Sequence, residues 1–415
     1  MAGRRARGPS SATHEFFDTL PERMNGVANT AFHDPLIIPV EGGWLGLSTD
    51  LKIKGVQARR SDDLLAWSDP YPLLGQAPAS VRRHTGVERF WAPELVERNG
   101  KWRLYVCASR VGTTQSVIGL AEADDPLGPY AYIGDVLQTN HGPRFTQPNA
   151  IDPCVCAGRD GRDYLFYGSF FGGIHILPLT EEGFPAVFDE GQLVAGGGHQ
   201  PIEGAYCVYH EPTDRFVLFT SWGSLRSDYH IRVGYSHAIT GPYLDSNGYP
   251  LTDPDPVHTP GDKLVGGYHF GLPGVPEVMA TGHNSIARIG GEPYVVHHAR
   301  PEGDERRPFL QIRRLFFAAD GRAMAWPLTY DGAPLIPVDA APRRWRFVHL
   351  SRDNYGVVYG VCMAADEARI RIEGSGITAR AFCKDWKGFV FRQGDRVACT
   401  LLSPDGEALW GIAEA

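Results

Sequence analysis

The chain has 415 residues and a net charge of −8, which excludes a surface built for nucleic acid and fits a neutral or weakly polar ligand. Apolar residues at 43% and charged residues at 21% describe a globular chain, long enough for two domains or for one large all-β domain with an appendage. No apolar run reaches the length of a membrane-spanning helix.

Gly 49 and Pro 32 together make about a fifth of the chain, a density of punctuation that suits many short strands joined by tight turns. Residues 1–27 open on a basic run, Arg4-Arg5-Ala6-Arg7, with no apolar segment behind it, and are expected to be a disordered or extended tail. A pattern of elements then recurs. A polar or acidic residue leads into a short apolar strand, a tight turn, a second aromatic-rich strand and a third strand. Asp34-Pro35 leads into Leu36–Val40 and the turn at Gly42-Gly43; Glu94 leads into Leu95–Glu97 and the hairpin signal Asn99-Gly100. Asp152-Pro153 precedes Cys154–Ala157, Glu203 precedes Ala205–Tyr209, and His283-Asn284 precedes Ser285–Ile289. Five such units at intervals of 51 to 80 residues predict a five-bladed β-propeller over residues 28–330. After the Pro/Gly/Ala-rich stretch Tyr330–Pro342, residues 343–415 read as alternating short strands, a small C-terminal β-barrel or sandwich.

In a propeller the first strand of each blade lines the central channel, so the lead residues converge at one mouth. Asp-Pro occurs six times, at Asp34, Asp69, Asp125, Asp152, Asp253 and Asp255. Turn chemistry accounts for most of these, but Asp34 and Asp152 each open a first strand. Glu203 lies among apolar and small residues in Pro201-Ile202-Glu203-Gly204-Ala205, where desolvation raises a carboxyl pKa and suits it to general acid work. Carboxylates facing one another across a groove are the machinery of glycoside hydrolysis. Glu94 is read as structural, or as lining the channel. Trp91, Phe170, Phe171 and Trp222 are candidates for stacking on sugar rings, Trp91 first among them. His283 stands among the acids, where a cation held by it and by water would balance their charge, although calcium prefers oxygen ligands. His297-His298 is expected to face opposite sides of its strand with no metal. The seven cysteines fall mostly in apolar strand-like runs and read as buried, reduced thiols; with the absent leader they give a cytoplasmic expectation.

The segments Phe32-His33-Asp34-Pro35, Phe90-Trp91-Ala92-Pro93-Glu94, Asn149-Ala150-Ile151-Asp152-Pro153, Tyr167-Gly168-Ser169-Phe170, Ile202-Glu203-Gly204 and Gly282-His283-Asn284-Ser285, in this order, resemble glycoside hydrolase family 43, and within it the endo-acting α-1,5-L-arabinanases. The resemblance implies an inverting mechanism on arabinan or arabino-oligosaccharides. Asp34 would be the general base, Glu203 the general acid and Asp152 the residue that tunes and orients the acid. It also marks His33, Trp91, Asn149, Ser169 and Phe170 as sugar contacts, and His283 as the holder of a calcium or similar ion; no organic cofactor, nucleic acid or membrane partner is implied. The C-terminal segment resembles the small β-domain of two-domain arabinanases. Ile-Glu-Gly-Ala, where the family more often has Ile-Glu-Ala-Pro, is a departure expected to touch the sugar-binding surface rather than the acids. The insert Asp253–Thr281 is expected to wall the groove. An exo-acting arabinofuranosidase or β-xylosidase on the same scaffold, and a non-catalytic sugar-binding propeller, are the alternatives.

Overall fold

The computed structural model describes residues 31–51, 53–139, 148–187, 189–253 and 259–414, so the N-terminal tail expected over residues 1–27, and Asp255, lie outside the described residues. Five sheets follow one another along the chain; four are antiparallel with their strands in sequence order, and the fifth adds one later strand in parallel at its edge. Their first strands are Leu36–Val40, Trp91–Arg98, Cys154–Ala157, Ile202–His210 and Val278–Ile289. This is a five-bladed β-propeller, followed by a curled half-barrel sheet at the C-terminus.

The expected hairpins form where the turn chemistry requires them. Asn99 and Gly100 both have positive φ, 54° and 73°, the geometry that joins Trp91–Arg98 to Lys101–Ser109 without splaying the strands. Every blade also has a fourth, outer strand that the repeat did not reveal: Tyr71–Leu74, Ala131–Thr139, Gln192–Ala195, Asp262–Val265 and Ala323–Ala325. The insert Asp253–Thr281 supplies two of the added strands. It gives blade four its outer strand and then sends Tyr268–His269 to the inner edge of blade five.

Among the described residues the ring closes without strand exchange, by packing. Phe32 and Ile37 from the start of blade one bury against Ala287, Val296, Leu310 and Ile312 of blade five. Two hydrogen bonds cross the same seam: the Ser285 hydroxyl donates to the Pro35 carbonyl at 2.7 Å, and the Asp34 amide donates to His298 Nδ1 at 3.2 Å.

The C-terminal sheet runs Val361–Ala364, Arg344–Leu350, Ala408–Ala413, Arg396–Leu402, Lys384–Gln393, Gly376–Ala381, Arg371–Glu373. It has its own core around Trp345, Trp386 and Leu401, yet Val348, Leu350, Trp410 and Ile412 belong to a second core shared with blades four and five. The stretch expected as a linker contributes Leu335–Ile336 to this sheet. Beside the sheet strand Val361–Ala364, the short strand Val358–Tyr359 leaves the C-terminal sheet and pairs in parallel with Tyr268–His269 of blade five.

If seam packing closes the ring, Phe32→Ala destabilises the protein by about 3–5 kcal/mol, because a fully buried ring is lost from a site that cannot collapse. Urea unfolding followed by tryptophan fluorescence checks this; a change under 1 kcal/mol would show that the seam carries little of the stability.

Candidate active site

At or just before the first strand of each blade the backbone enters the left-handed region: Asp34 (φ 55°), Ala92 (38°), Asp152 (56°), Gly204 (60°) and His283 (51°), with Ala280 (49°) a second such residue in blade five. Residues with a side chain rarely adopt this conformation, and its recurrence in every blade marks a shared constraint. Pairing registers shift beside it in blades two, four and five, and the kink turns the neighbouring side chains inward.

Asp34 is buried and caged by cationic and hydroxyl groups. Its Oδ2 lies 2.8 Å from His33 Nδ1 and accepts a hydrogen bond from Thr49; its Oδ1 lies 3.0 Å from His283 Nδ1. Burial opposes ionisation, but the His283 and His33 rings outweigh it and hold the Asp34 carboxyl well below the usual range. Glu203 has a different setting. Tyr229 donates to its Oε1 at 2.8 Å, and burial raises its pKa against the pull of His283 and that hydrogen bond. Asp152 accepts from the Gly204 amide at 3.1 Å; burial, with Glu203 and Asp34 nearby, pushes it up to about 7 despite His283. Burial alone would keep His283 neutral, yet Asp34, Asp152 and Glu203 around it push the imidazole up to about 9. One carboxylate is thus held ionised while two others favour the protonated form.

The structure brings Asp34, Asp152, Glu203 and His283 together, as the lead positions predicted. His33 joins them, stacked on His298 with ring centroids 4.4 Å apart. Trp91 and Phe170 are half-buried at the start of blade two and the end of a blade-three strand. Asn149 and Ser169 are buried and bonded to each other, Nδ2 to Oγ at 3.2 Å, with Ser116 on the Asn149 carbonyl oxygen. Two expectations need correction. Trp222 is 3% exposed and packs with Ile202 and Phe216 in a blade core, its indole N–H spent on Thr220, so no face is open to a sugar. Gly204 touches the acids and not only the sugar surface: its amide bonds Asp152, and a Cβ there would stand 3.1 Å from the His283 ring.

Glu94 lines the channel deeper in, beside Cys154 and Tyr206, and burial pushes it up to about 8, so it is largely uncharged at neutral pH. His297 and His298 do face opposite sides of their strand: His297 accepts from Arg313 at 3.3 Å, whereas His298 joins the site. Sequence reasoning missed four site residues. His298 and Arg300 share one face of a strand by simple alternation, a signal visible in the sequence. Arg300 is fully buried, and its two Nη groups lack an acceptor among the described residues. Thr49 directly follows a strand and Tyr229 directly precedes one, and no local pattern marks them.

For a cation at His283, the donor geometry fits in one respect. Asp34 faces Nδ1, so Nε2 would be the ring's metal-binding nitrogen, and only in the neutral ring: an ion there and the imidazolium that the acids favour exclude each other. Among the described residues, donors close enough to share an ion are His33, Asp34 and His298, and separately His269, Glu277 and Glu302; His283 is in neither group, so further ligands there would be water.

The comparisons agree with this geometry. The chain is 28% identical over 369 residues to an extracellular endo-α-(1→5)-L-arabinanase of Thermotoga petrophila, covering 77% of this chain and 76% of that protein. It is 27% identical over 323 residues to an extracellular exo-α-(1→5)-L-arabinofuranosidase of Cellvibrio japonicus, covering 73% and 87%. The crystal structure of the glycoside hydrolase family 43 YxiA protein of Bacillus licheniformis superposes with a TM-score of 0.83 at 26% identity, over 92% of this chain and 98% of that one. Relatives named as extracellular overturn the cytoplasmic expectation. The profile of the glycosyl hydrolases family 43 matches residues 24–322, and the chain belongs to that family.

Proposed function

We propose that this glycosidase cleaves α-1,5-L-arabinofuranosidic bonds within arabinan or arabino-oligosaccharides, with Asp34 as general base and Glu203 as general acid. The observation that carries the reading is the opposite setting of the two carboxyls. Asp34 is caged by His33, His283 and Thr49, which hold its pKa well below the usual range, while Glu203 has one neutral hydroxyl partner and burial raises its pKa. The names of the Thermotoga and Cellvibrio relatives support arabinan as the substrate class.

Family 43 glycosidases invert, so both carboxyls act in a single displacement. Asp34 draws a proton from a water that attacks the anomeric carbon, and Glu203 protonates the departing glycosidic oxygen. Asp152, near enough to Glu203 for the two carboxyls to shift each other's ionisation, fixes through the Gly204 amide the strand that carries the acid. Trp91 and Phe170 stand at the mouth as stacking surfaces. His33 acts through Asp34, and Asn149 and Ser169 brace the Asp152 loop. His283 would hold a calcium ion through Nε2 and water, and a bound ion would supply positive charge beside the acids. A second reading, exo action, is favoured by the Cellvibrio relative and by the strands Tyr268–His269 and Val358–Tyr359 added on the mouth side of blade five.

Product analysis on linear α-1,5-arabinan separates the readings: mixed oligosaccharides early in the reaction indicate endo action, arabinose alone indicates exo action, and no cleavage refutes the substrate. Asp34→Asn and Glu203→Gln each lower kcat on arabinan at least about 100-fold with the fold intact by circular dichroism; near-wild-type turnover in either variant overturns its role. Because Glu203 is raised and Asp34 lowered, kcat/KM falls as pH rises through the Glu203 value and holds on the acid side down to the depressed Asp34 value; a profile that climbs to an alkaline plateau contradicts the assignment. Chelation lowers activity or melting temperature and added calcium restores it; indifference of both to chelator removes the ion from the mechanism.

A further inference from the structure

Tyr229 ends the loop that joins Arg215–Trp222 to His230–Ser236 on the mouth side of blade four. Its ring is 1% exposed and lies parallel to His298, with centroids 5.8 Å apart and planes at 16°. A Cβ at Gly282 would come within 2.2 Å of this ring, so glycine is what admits it. Held in this slot, the hydroxyl keeps its 2.8 Å bond to Glu203 Oε1. With Oε1 engaged as an acceptor, the proton of the acid is left on Oε2, the oxygen free to face a leaving group.

The loop is itself held from the C-terminal sheet. The neutral His230 ring donates from Nδ1 to the Asp228 carbonyl at 2.7 Å and accepts at Nε2 from Arg232 Nε at 2.9 Å. Arg232, fully buried, donates to the carbonyls of Thr259 and Gly261 at 2.8 and 2.9 Å and, with its other Nη, to the carbonyl of Arg352. Buried Lys263 donates to the carbonyl of Asn354. Tyr355 covers both members of the relay: its ring centroid is 5.6 Å from that of the His230 imidazole and 5.8 Å from Cζ of the Arg232 guanidinium, and its hydroxyl pairs with that of Thr259 at 2.8 Å. Arg232 and Lys263 therefore both donate to backbone carbonyls of the segment Arg352–Tyr355; without it Lys263 loses this acceptor and Arg232 keeps only the carbonyls of Thr259 and Gly261 and the His230 ring.

We propose that Tyr229 is a positioning residue that presents the Glu203 proton to the departing sugar oxygen, and that the C-terminal segment Arg352–Tyr355 holds Tyr229 in place through Arg232 and His230. This rests on the reading of Glu203 as general acid. It gives the C-terminal sheet a part in turnover on substrates whose leaving group needs protonation.

The test compares two substrates in the full chain: linear α-1,5-arabinan, whose leaving oxygen needs a proton, and a 2,4-dinitrophenyl α-1,5-arabinobioside, whose leaving group does not. Tyr229→Phe keeps the ring and removes the hydroxyl; it lowers kcat on arabinan about tenfold, the worth of one hydrogen bond, with KM within about twofold and the aryl rate nearly unchanged. Tyr355→Ala gives the same pattern at about threefold. Glu203→Gln, measured alongside, reports on the underlying reading: loss of the arabinan rate with retention of the aryl rate supports it, and equal loss on both refutes it. If Glu203→Gln discriminates and Tyr229→Phe slows both substrates equally or neither, the role of Tyr229 is overturned. If Tyr229→Phe discriminates and Tyr355→Ala does not, the role of the C-terminal segment is overturned.

Discussion

Three carboxyls buried at one channel mouth cannot all be ionised, and the site depends on which of them is given a cation. The seam between blades one and five makes that choice. Asp34 stands at the start of blade one, and His283 and His298 belong to blade five, so only closure of the ring sets these rings against it. Asp152 and Glu203, on blades three and four, receive backbone and hydroxyl hydrogen bonds but no direct cation. The contrast between Asp34 and the other two carboxyls therefore depends on packing at the seam, where Phe32 and Ile37 meet Val296 and Leu310.

Much of this was legible in the sequence because the chemistry of turns and first strands is local. Asp-Pro before a strand, Asn-Gly between strands and a glutamate among small residues each carry their meaning within a few positions, and they located Asp34, Asp152, Glu203 and the hairpins. The register of blade five was less legible. Val278–Ile289 begins five residues before His283, and two register shifts within it reset which residues face the channel. Tyr229 was not legible at all. Its position follows from a glycine at 282 on another blade and a histidine at 298 on a third strand, and no single segment contains that information.

The C-terminal sheet shows the same limit. Its strands were readable from alternation, but its dependence on the propeller was not. At roughly 75 residues a β-sheet is near the lower size at which a core stands alone, and Trp410, Val348 and Leu350 bury against blades four and five instead. The exchange also runs in the polar direction. Arg352 reaches Asp245 and Asp262 of blade four, while Arg232 and Lys263 of blade four reach carbonyls beside it. A contact paid for with buried charge on both sides is specific in register, because a shifted sheet would leave several ions without partners.

The cysteines explain why composition misjudged the compartment. Paired thiols are one solution to an oxidising medium, and burial is another. Cys107, Cys154, Cys156, Cys207 and Cys399 are buried, and burial raises the thiols of Cys107, Cys154, Cys207 and Cys399 above their ordinary value. A thiol that is neither ionised nor reachable does not exchange with disulfides, whatever the redox poise outside. Cys107 also has a structural task, since its sulfur accepts the Asp152 amide at 3.4 Å and so supports the backbone of a site acid. The buried cysteines thus report on packing in the propeller and, for Cys399, in the C-terminal sheet, whereas Cys362 is partly exposed and Cys383 exposed, against the expectation of buried thiols, and the compartment has to be read from elsewhere.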